Sequence, residues 1–323
     1  MSSAATPSTP LPVRTPGSRA RGRHRRPERP EIPAGAPALL LAVPGEATAA
    51  AQLIADELVS LVRAEQPGID VTAVYLTADN ALAGEPVPVA EPLAGEDVPA
   101  EDQPLDDRHL MGGPAQREPA PTLADVLARD AEKRAAGSEV AAPVVVPLLP
   151  GTSDALRTAL ASVDGEFTTT DALGPHPLLA EAVHVRLSEA GLARADRARL
   201  FAVNTSADGV VLATVGGDEA LQHAGITGVL LAARLAVPVV AATLDDAGSV
   251  ASAVAELRGA GCAQPALAPY LIGPEFDADL LKSVAAEVDC PAAEPLGAYP
   301  TIARLVLGLY LGALGIQQDA ELG

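Results

Sequence analysis

The stretch Leu-Gly-Pro-His-Pro, at residues 173–177, recurs as Leu-Gly-Ala-Tyr-Pro at residues 296–300. Upstream of each copy lies an apolar run that ends in glycine: Pro-Leu-Leu-Pro-Gly at residues 147–151 and Pro-Tyr-Leu-Ile-Gly at residues 269–273. The two pairs are offset by 123 and 122 residues. Two motifs repeated at nearly one offset indicate an internal duplication, so the fold of one half predicts the fold of the other.

Each half alternates strands and helices. In the first half an apolar run at residues 39–43 precedes a helical pattern at 47–63 and a second strand at 71–76. Two strands joined by a long helix predict a parallel pair with a right-handed crossover. We therefore expect an α/β fold of two tandem domains, each a small parallel sheet flanked by helices. The predicted units are domain 1 at residues 37–191, a connector at 192–208 and domain 2 at 209–316.

Two segments depart from this pattern. Residues 1–36 hold seven Arg against two Glu and are rich in Pro and Ser, so we predict a disordered basic tail. Residues 78–121 hold ten acidic residues and eight Pro, which predicts a disordered acidic insertion within domain 1. The opening strands of the halves are offset by 171 residues, and this insertion accounts for most of the excess over 122.

Composition excludes several classes of partner. The net charge of −20 argues against nucleic acid and against anionic membranes. No stretch approaches the ~20 apolar residues of a membrane span. Cys262 and Cys290 lack Cys-x-x-Cys spacing and are expected to be buried thiols of a cytoplasmic protein, although the sequence leaves a disulfide open.

A ligand site is expected beyond the carboxyl ends of the strands, where open parallel sheets bind ligands. His176 lies there between two prolines, and it is either a functional group of the cleft or a cap of the following helix. Its counterpart in the second half is Tyr299, so the halves are not chemically equivalent.

Two further patterns each allow a structural and a functional interpretation. Glu181 and His184 have the i, i+3 spacing of helical metal ligands, but they fall away from the apolar stripe and are expected to face solvent. The glycines at 216 and 217 could bind phosphate at a helix N-terminus. We favour a tight turn in which Asp218 and Glu219 stabilise the helix dipole.

The paired halves, the Pro-Leu-Leu strand and the two Leu-Gly-x-x-Pro loops resemble the long, two-domain sirohydrochlorin chelatases, which are class II chelatases. The resemblance covers about residues 38–314. It implies insertion of cobalt or iron, as substrate metal, into a tetrapyrrole for cobalamin or sirohaem synthesis, with no other cofactor.

The resemblance also implies a degenerate or remodelled metal site. Family members carry a His-Gly-Ser turn after the first strand, where this chain has Pro44, and a second histidine after the third strand, where residues 151–155 have none. Neutral imidazoles hold the ion and accept the pyrrole protons, and proline does neither. By resemblance the catalytic candidates are Glu46, Asp154 and His176, with His176 as the metal ligand. Candidates for binding tetrapyrrole carboxylates are Arg157, Arg186, Arg234 and Arg304.

Three functions remain open from the sequence. The first is a metal chelatase (a lyase) that works through the three candidate residues. The second is a non-catalytic tetrapyrrole- or metal-binding protein, or a regulatory protein, on the chelatase fold. The third is an interaction protein that uses its acidic insertion and basic tail. The sequence leaves the oligomeric state open.

Overall fold

The first half of the chain forms a four-stranded parallel sheet. A computed structural model describes residues 30–76, 120–193, 207–273 and 278–316. The strand order is β2-β1-β3-β4, with every neighbouring pair parallel. The elements are β1 (Leu39–Pro44), α1 (Ala49–Glu65), β2 (Val71–Leu76), α2 (Leu123–Ala135), β3 (Val144–Pro147), α3 (Asp154–Ala161), β4 (Thr168–Thr169) and α4 (Pro177–Glu189).

The second half repeats this topology. Its sheet has the order β6-β5-β7, and Ala292 makes a parallel bridge to Leu267 where the first sheet has its fourth strand. The predicted α/β fold with two small parallel sheets is confirmed. The elements are β5 (Gly209–Thr214), α5 (Gly217–Leu235), β6 (Val239–Thr243), α6 (Ala247–Gly259), β7 (Pro265–Pro269), α7 (Ala278–Glu287) and α8 (Pro300–Ala313).

The two Leu-Gly-x-x-Pro loops occupy equivalent places. The backbone N–H of Leu173 donates to the carbonyl of Leu149 at 2.9 Å, and that of Leu296 donates to Leu271 at 2.8 Å. The two donors, Leu173 and Leu296, are 123 residues apart, and the two acceptors, Leu149 and Leu271, are 122 residues apart, which are the offsets found in the sequence. Each loop therefore leaves its sheet beside the third strand and leads into the last helix of its half.

Local sequence explains where the helices begin. The Thr48 hydroxyl accepts the N–H of Ala51 at the start of α1. Thr122 and Asp125 form a reciprocal capping box at the start of α2, in which each side chain accepts the other's backbone N–H. Helix α4 begins with Pro177 in its first turn, where a missing N–H leaves no donor unsatisfied.

The side chains of the strands alternate between two cores. Leu39, Leu41 and Val43 of β1 belong to a large core that also contains Leu212 and Ala268 of the second sheet. The intervening residues of β1 face a smaller core with α2 and α3, and the outer face of the second sheet packs against α6 and α7. The large core is thus shared by the halves, which face each other across four helices.

The last helix of each half packs against the opposite half. Helix α8 contacts α1 and β3, and helix α4 contacts α5 and β7. The hydroxyl of Tyr310, on α8, also donates to the carbonyl of Pro37, which precedes β1, at 2.7 Å. The predicted boundaries at residues 37–191, 192–208 and 209–316 stay a prediction.

Some sequence-based predictions concern residues outside the described part of the chain. These are most of the basic tail at 1–36, of the acidic insertion at 78–121 and of the connector at 192–208. Within the part that is described, no helix combines the length and the apolar character needed to cross a membrane.

Candidate functional site

A small crevice lies at the carboxyl ends of the strands, between the halves. Its volume is about 10 Å³, roughly the space of one water molecule. Its walls come from the end of β1, the first turns of α1, the segment after β3 and the segment after β7. The lining residues are all apolar: Val43, Pro44, Ala51, Ile54, Ala55, Leu148 and Ile272.

The crevice is narrow because the loops of the two halves touch. A Cβ added to Gly273, after β7, would collide with Cδ1 of Ile54 on α1. The glycine therefore allows the second half to approach α1, and the Ile54 side chain closes the crevice on that side.

A second contact joins the loop after β3 to the loop after β5. A Cβ on Gly151 would lie 3.1 Å from Cα of Ala220, and one on Gly216 would lie 3.0 Å from Cβ of Ser153. The first contact joins the segment after β7 to α1, which follows β1, and the second joins the segment after β3 to α5, which follows β5. Because β1 corresponds to β5 and β3 to β7, the two contacts are equivalent in the duplicated fold. The halves thus meet with approximate two-fold symmetry around the crevice.

Arg157 forms an ion pair between these two loop regions and a second ion pair within its own helix. Its Nη1 donates to Oε2 of Glu219 at 2.6 Å, and its Nη2 donates to Oδ1 of Asp154 at 2.5 Å. The hydroxyl of Thr152 and the guanidinium of Arg157 hold the pKa of Glu219 below its usual value. The Asp154 side chain is almost fully exposed and those of Arg157 and Glu219 are about half exposed, so solvent screens the ion pairs.

The three catalytic candidates lie on loops and helix ends around this region. Glu46 is exposed in the loop after β1, and Asp154 is exposed in the first turn of α3. Among the described residues, which include both of these and His176, no three His, Cys, Asp or Glu side chains come together as a metal-holding group. Their proposed roles in catalysis stay predictions.

His176 is half-buried and caps α4. Its Nδ1 accepts the backbone N–H of Leu178 at 3.1 Å, so the capping imidazole is neutral with its proton on Nε2. Burial lowers the pKa of His176, which favours the same neutral form. In this arrangement one ring nitrogen is used by the helix and the other is protonated, so neither presents a lone pair to a metal ion.

Tyr299, the counterpart of His176, serves a different purpose. Its hydroxyl donates to Oε2 of Glu189 at 2.5 Å, and the guanidinium of Arg186 lies 4.6 Å from its ring centre. Burial and the neighbouring Glu189 carboxylate raise the pKa of Tyr299 to about 12. The cluster fastens the end of α4 to the second Leu-Gly-x-x-Pro loop, where Arg186 also donates to the carbonyl of Leu296.

The remaining arginine candidates are engaged elsewhere. Arg234 donates through Nε to Nδ1 of His184 at 2.9 Å, and Arg304 donates to the carbonyl of Pro300 at 3.4 Å. The expectation that His184 faces solvent is wrong, because this residue is only 4% exposed. Helix α4 packs against α5 of the opposite half, and that contact covers the face that the sequence leaves polar.

The glycine turn at the start of α5 binds a carboxylate of the chain itself. The N–H groups of Gly216 and Gly217 donate to Oδ2 of Asp245 at 2.8 and 3.0 Å, and the Thr243 hydroxyl donates to the same oxygen at 3.0 Å. The turn is therefore structural, as favoured from the sequence. Asp245, which provides the anion, was missed because it lies 29 residues from Gly216.

Tyr270 is a second residue whose position the repeat alone does not explain. It is fully buried, and its hydroxyl pairs with that of Thr227 on α5 at 2.8 Å. A Cβ on Gly174 would lie 2.7 Å from this hydroxyl, so the first Leu-Gly-x-x-Pro loop packs directly against a side chain of the second half.

Comparison with known proteins supports the fold. SirB from Bacillus subtilis, solved with Fe3+, superposes with a TM-score of 0.50 at 14% identity, over 86% of this chain and 98% of that one. Unliganded arylmalonate decarboxylase has 14% identity over 89% and 97%, but its TM-score of 0.24 carries no argument. No family model and no curated protein sequence matches the chain. SirB has the class II chelatase fold, and this chain has a chelatase-like fold.

Proposed function

We propose that this chain is a non-catalytic tetrapyrrole-binding protein on the chelatase fold, which holds a flat macrocycle between its halves without inserting metal. The observation that carries the proposal is the apolar lining of the crevice at the carboxyl ends of the strands. Parallel α/β sheets bind ligands at this edge, and apolar walls suit the face of an aromatic ring.

The chemistry of metal insertion lacks its usual groups here. Insertion requires donors that hold a divalent ion and bases that accept two pyrrole protons, and neutral imidazole serves both purposes. Pro44 stands where chelatases of the resembled family have a histidine, and the His176 imidazole caps a helix. The carboxylates of Glu46 and Asp154 are solvent-exposed, and neither residue lines the crevice.

Binding requires the crevice to open. At about 10 Å³ the space admits no macrocycle, so the Ile54 side chain must move away from Gly273 before a ring can enter. Across the opposite loops the Arg157–Glu219 ion pair is screened by water and inexpensive to break, whereas the contact of Gly151 with Ala220 is buried, so opening is expected on the Ile54 side. SirB, the structural neighbour of similar fold, was solved with Fe3+, which supports a ligand-handling ancestry.

The test is a time course of free sirohydrochlorin absorbance with cobalt(II), with and without the purified chain. We expect the wild-type chain to change the spectrum of the ring on mixing but to leave the rate of cobalt insertion at its protein-free value. A protein-free mixture of the same composition gives the uncatalysed rate of insertion. Cobalt insertion accelerated by wild type and abolished in His176→Ala would contradict the proposal and favour the chelatase function.

A further inference from the structure

The duplication gives the crevice a counterpart in the second half. Ala42 pairs with Pro147 in the first sheet, and Ala213 pairs with Pro269 in the second. The same ladder register therefore holds in both sheets, at an offset of 171 residues for β1 with β5 and of 122 residues for β3 with β7. The crevice walls that come from β1 and from the segments after β3 and β7 each have a matching segment in the other half.

The buried faces of α1 and α5 also match. Every buried residue of α1 lies 169 positions before a buried residue of α5, and the pairs are Ala51 with Ala220, Ala55 with Ala224, Leu58 with Thr227, Val59 with Gly228 and Val62 with Leu231. At the same offset His223 is the counterpart of Ile54, which closes the crevice. We call the residues at these offsets from the crevice lining the counterpart region; it includes Ala220, His223 and Tyr270, which stands at the position of Leu148.

The counterpart region is filled by the chain itself. The hydroxyl of Tyr270 pairs with that of Thr227 at 2.8 Å, and both residues are fully buried. A ring that displaced the Tyr270 side chain would leave the Thr227 hydroxyl buried without this partner, which is unfavourable. In the crevice the corresponding side chain, Leu148, has no polar group, so its displacement breaks no such bond.

The loop contacts of the two regions differ in the atoms that meet. A Cβ on Gly273 would meet Cδ1 at the flexible end of Ile54, which rotation about the side-chain torsions can move away. Gly151, the counterpart of Gly273, approaches Ala220 instead, and a Cβ there would lie 3.1 Å from the backbone Cα. Ala220 has no side-chain rotation that could open a gap, so separation at this contact requires movement of the α5 backbone.

We propose that each chain binds a single macrocycle, in the crevice beside Ile54, and that the Tyr270 side chain and the contact of Gly151 with Ala220 exclude a ligand from the counterpart region. The inference rests on the proposed tetrapyrrole binding. It adds that the halves, although duplicated, are unequal as ligand sites, because one region is closed by a side chain that can rotate and the other by backbone and a buried hydroxyl pair.

Titration of the full chain with sirohydrochlorin, followed by the fluorescence of the ring, measures the number of sites and their location. We expect one site per chain in wild type, and Ile54→Phe should weaken binding by about tenfold or more. His223→Phe is the matched control, the same substitution at the equivalent position, and its Kd should equal that of wild type. Two sites per chain, or equal weakening by the two substitutions, would overturn the inference and leave tetrapyrrole binding in place. No binding by wild type would overturn the proposed function and this inference with it.

Unfolding in urea tests the difference in closure without any ligand. Gly151→Ala pushes a methyl group against the backbone of Ala220, so we expect its urea midpoint of unfolding to fall below that of wild type. Gly273→Ala is the matched control at the equivalent position, where the Ile54 side chain can rotate aside, and its midpoint should stay closer to wild type. Equal losses in the two variants, or an unchanged midpoint in Gly151→Ala, would overturn the inference that only the crevice beside Ile54 can open.

Discussion

Gly174→Ala tests the packing of the first Leu-Gly-x-x-Pro loop against the second half. The new methyl group would lie 2.6 Å from the carbonyl oxygen of Pro150, 2.6 Å from Cδ1 of Leu179 and 2.7 Å from the hydroxyl of Tyr270. All three distances are shorter than any ordinary carbon contact. Pro150 contributes a backbone atom, and Leu179 and Tyr270 are fully buried, so none of the three can move aside freely.

The expected cost follows from these contacts. Overpacking of a core by one small group destabilises by about 1–3 kcal/mol, and three simultaneous clashes place this variant near about 3 kcal/mol. Gly308→Ala is the matched control, because Gly308 lies within α8 and a Cβ there meets nothing within 4 Å. Alanine in a helix interior is favoured over glycine by about 1 kcal/mol, so the control should be more stable than wild type.

Urea unfolding followed by circular dichroism measures both variants. We expect the free energy of unfolding to fall by about 3 kcal/mol in Gly174→Ala and to rise by about 1 kcal/mol in Gly308→Ala. In Tyr270→Phe the loss of the hydroxyl removes one of the three clashes, so the penalty of Gly174→Ala should be smaller in that background. A Gly174→Ala variant as stable as wild type would refute the close approach of the two halves at this loop.

Three further predictions concern the loops around the crevice. Asp245→Ala removes the acceptor of three hydrogen bonds and should lower the free energy of unfolding, measured in urea, by about 1–2 kcal/mol. An unchanged urea midpoint of unfolding would contradict the role of Asp245 in the glycine turn. His176→Ala should lose about 1 kcal/mol of stability through the missing cap, and His176→Asn should retain most of it, because asparagine also caps helices. Since burial lowers the pKa of His176 in the folded chain, the unfolded chain binds more protons than the folded chain as the pH falls. The free energy of unfolding must therefore fall as the pH drops below the pKa of histidine in the unfolded chain, about 6.5. Thermal melting of wild type and His176→Asn between pH 5 and 7 tests this, and equal pH dependence of the two proteins would count against the neutral cap.

The sequence predicts the strands and helices well because their signals are local. The helix expected at residues 47–63 is observed as Ala49–Glu65, and the strand expected at 71–76 is observed as Val71–Leu76. Strand ends are less well predicted: the apolar run at residues 39–43 forms a strand that continues to Pro44. Proline and glycine mark these turns, but the last ladder hydrogen bond depends on the neighbouring strand.

Contacts between the halves could not be predicted from periodicity. An apolar stripe shows which face of α4 is buried in one core, but it does not show that α5 covers the opposite face. That is why His184 was expected in solvent and is buried beside Arg234. The hydrogen bonds from the turn at 216–217 to Asp245 also join residues that are distant in sequence, so no local pattern predicts them.

The ligand site that the sequence predicts at the carboxyl ends of the strands stays a prediction. The carboxyl ends of the strands do enclose a crevice, and Pro44 lines it as its sequence position suggests. The role of Ile54 was missed, because its apolar side chain fits the core stripe of α1 equally well. Only the close approach of Gly273 reveals that Ile54 closes the crevice.

The most direct test of the account is equilibrium binding of sirohydrochlorin, followed by its fluorescence, to variants of two neighbouring residues on α1. Ile54→Ala opens the crevice and should bind more tightly than wild type, and Ile54→Phe fills it and should bind at least tenfold more weakly. Leu53→Ala and Leu53→Phe, at the exposed neighbouring position, should bind like wild type. No binding to any variant, or equal binding to all five proteins, would contradict a ligand site between the halves.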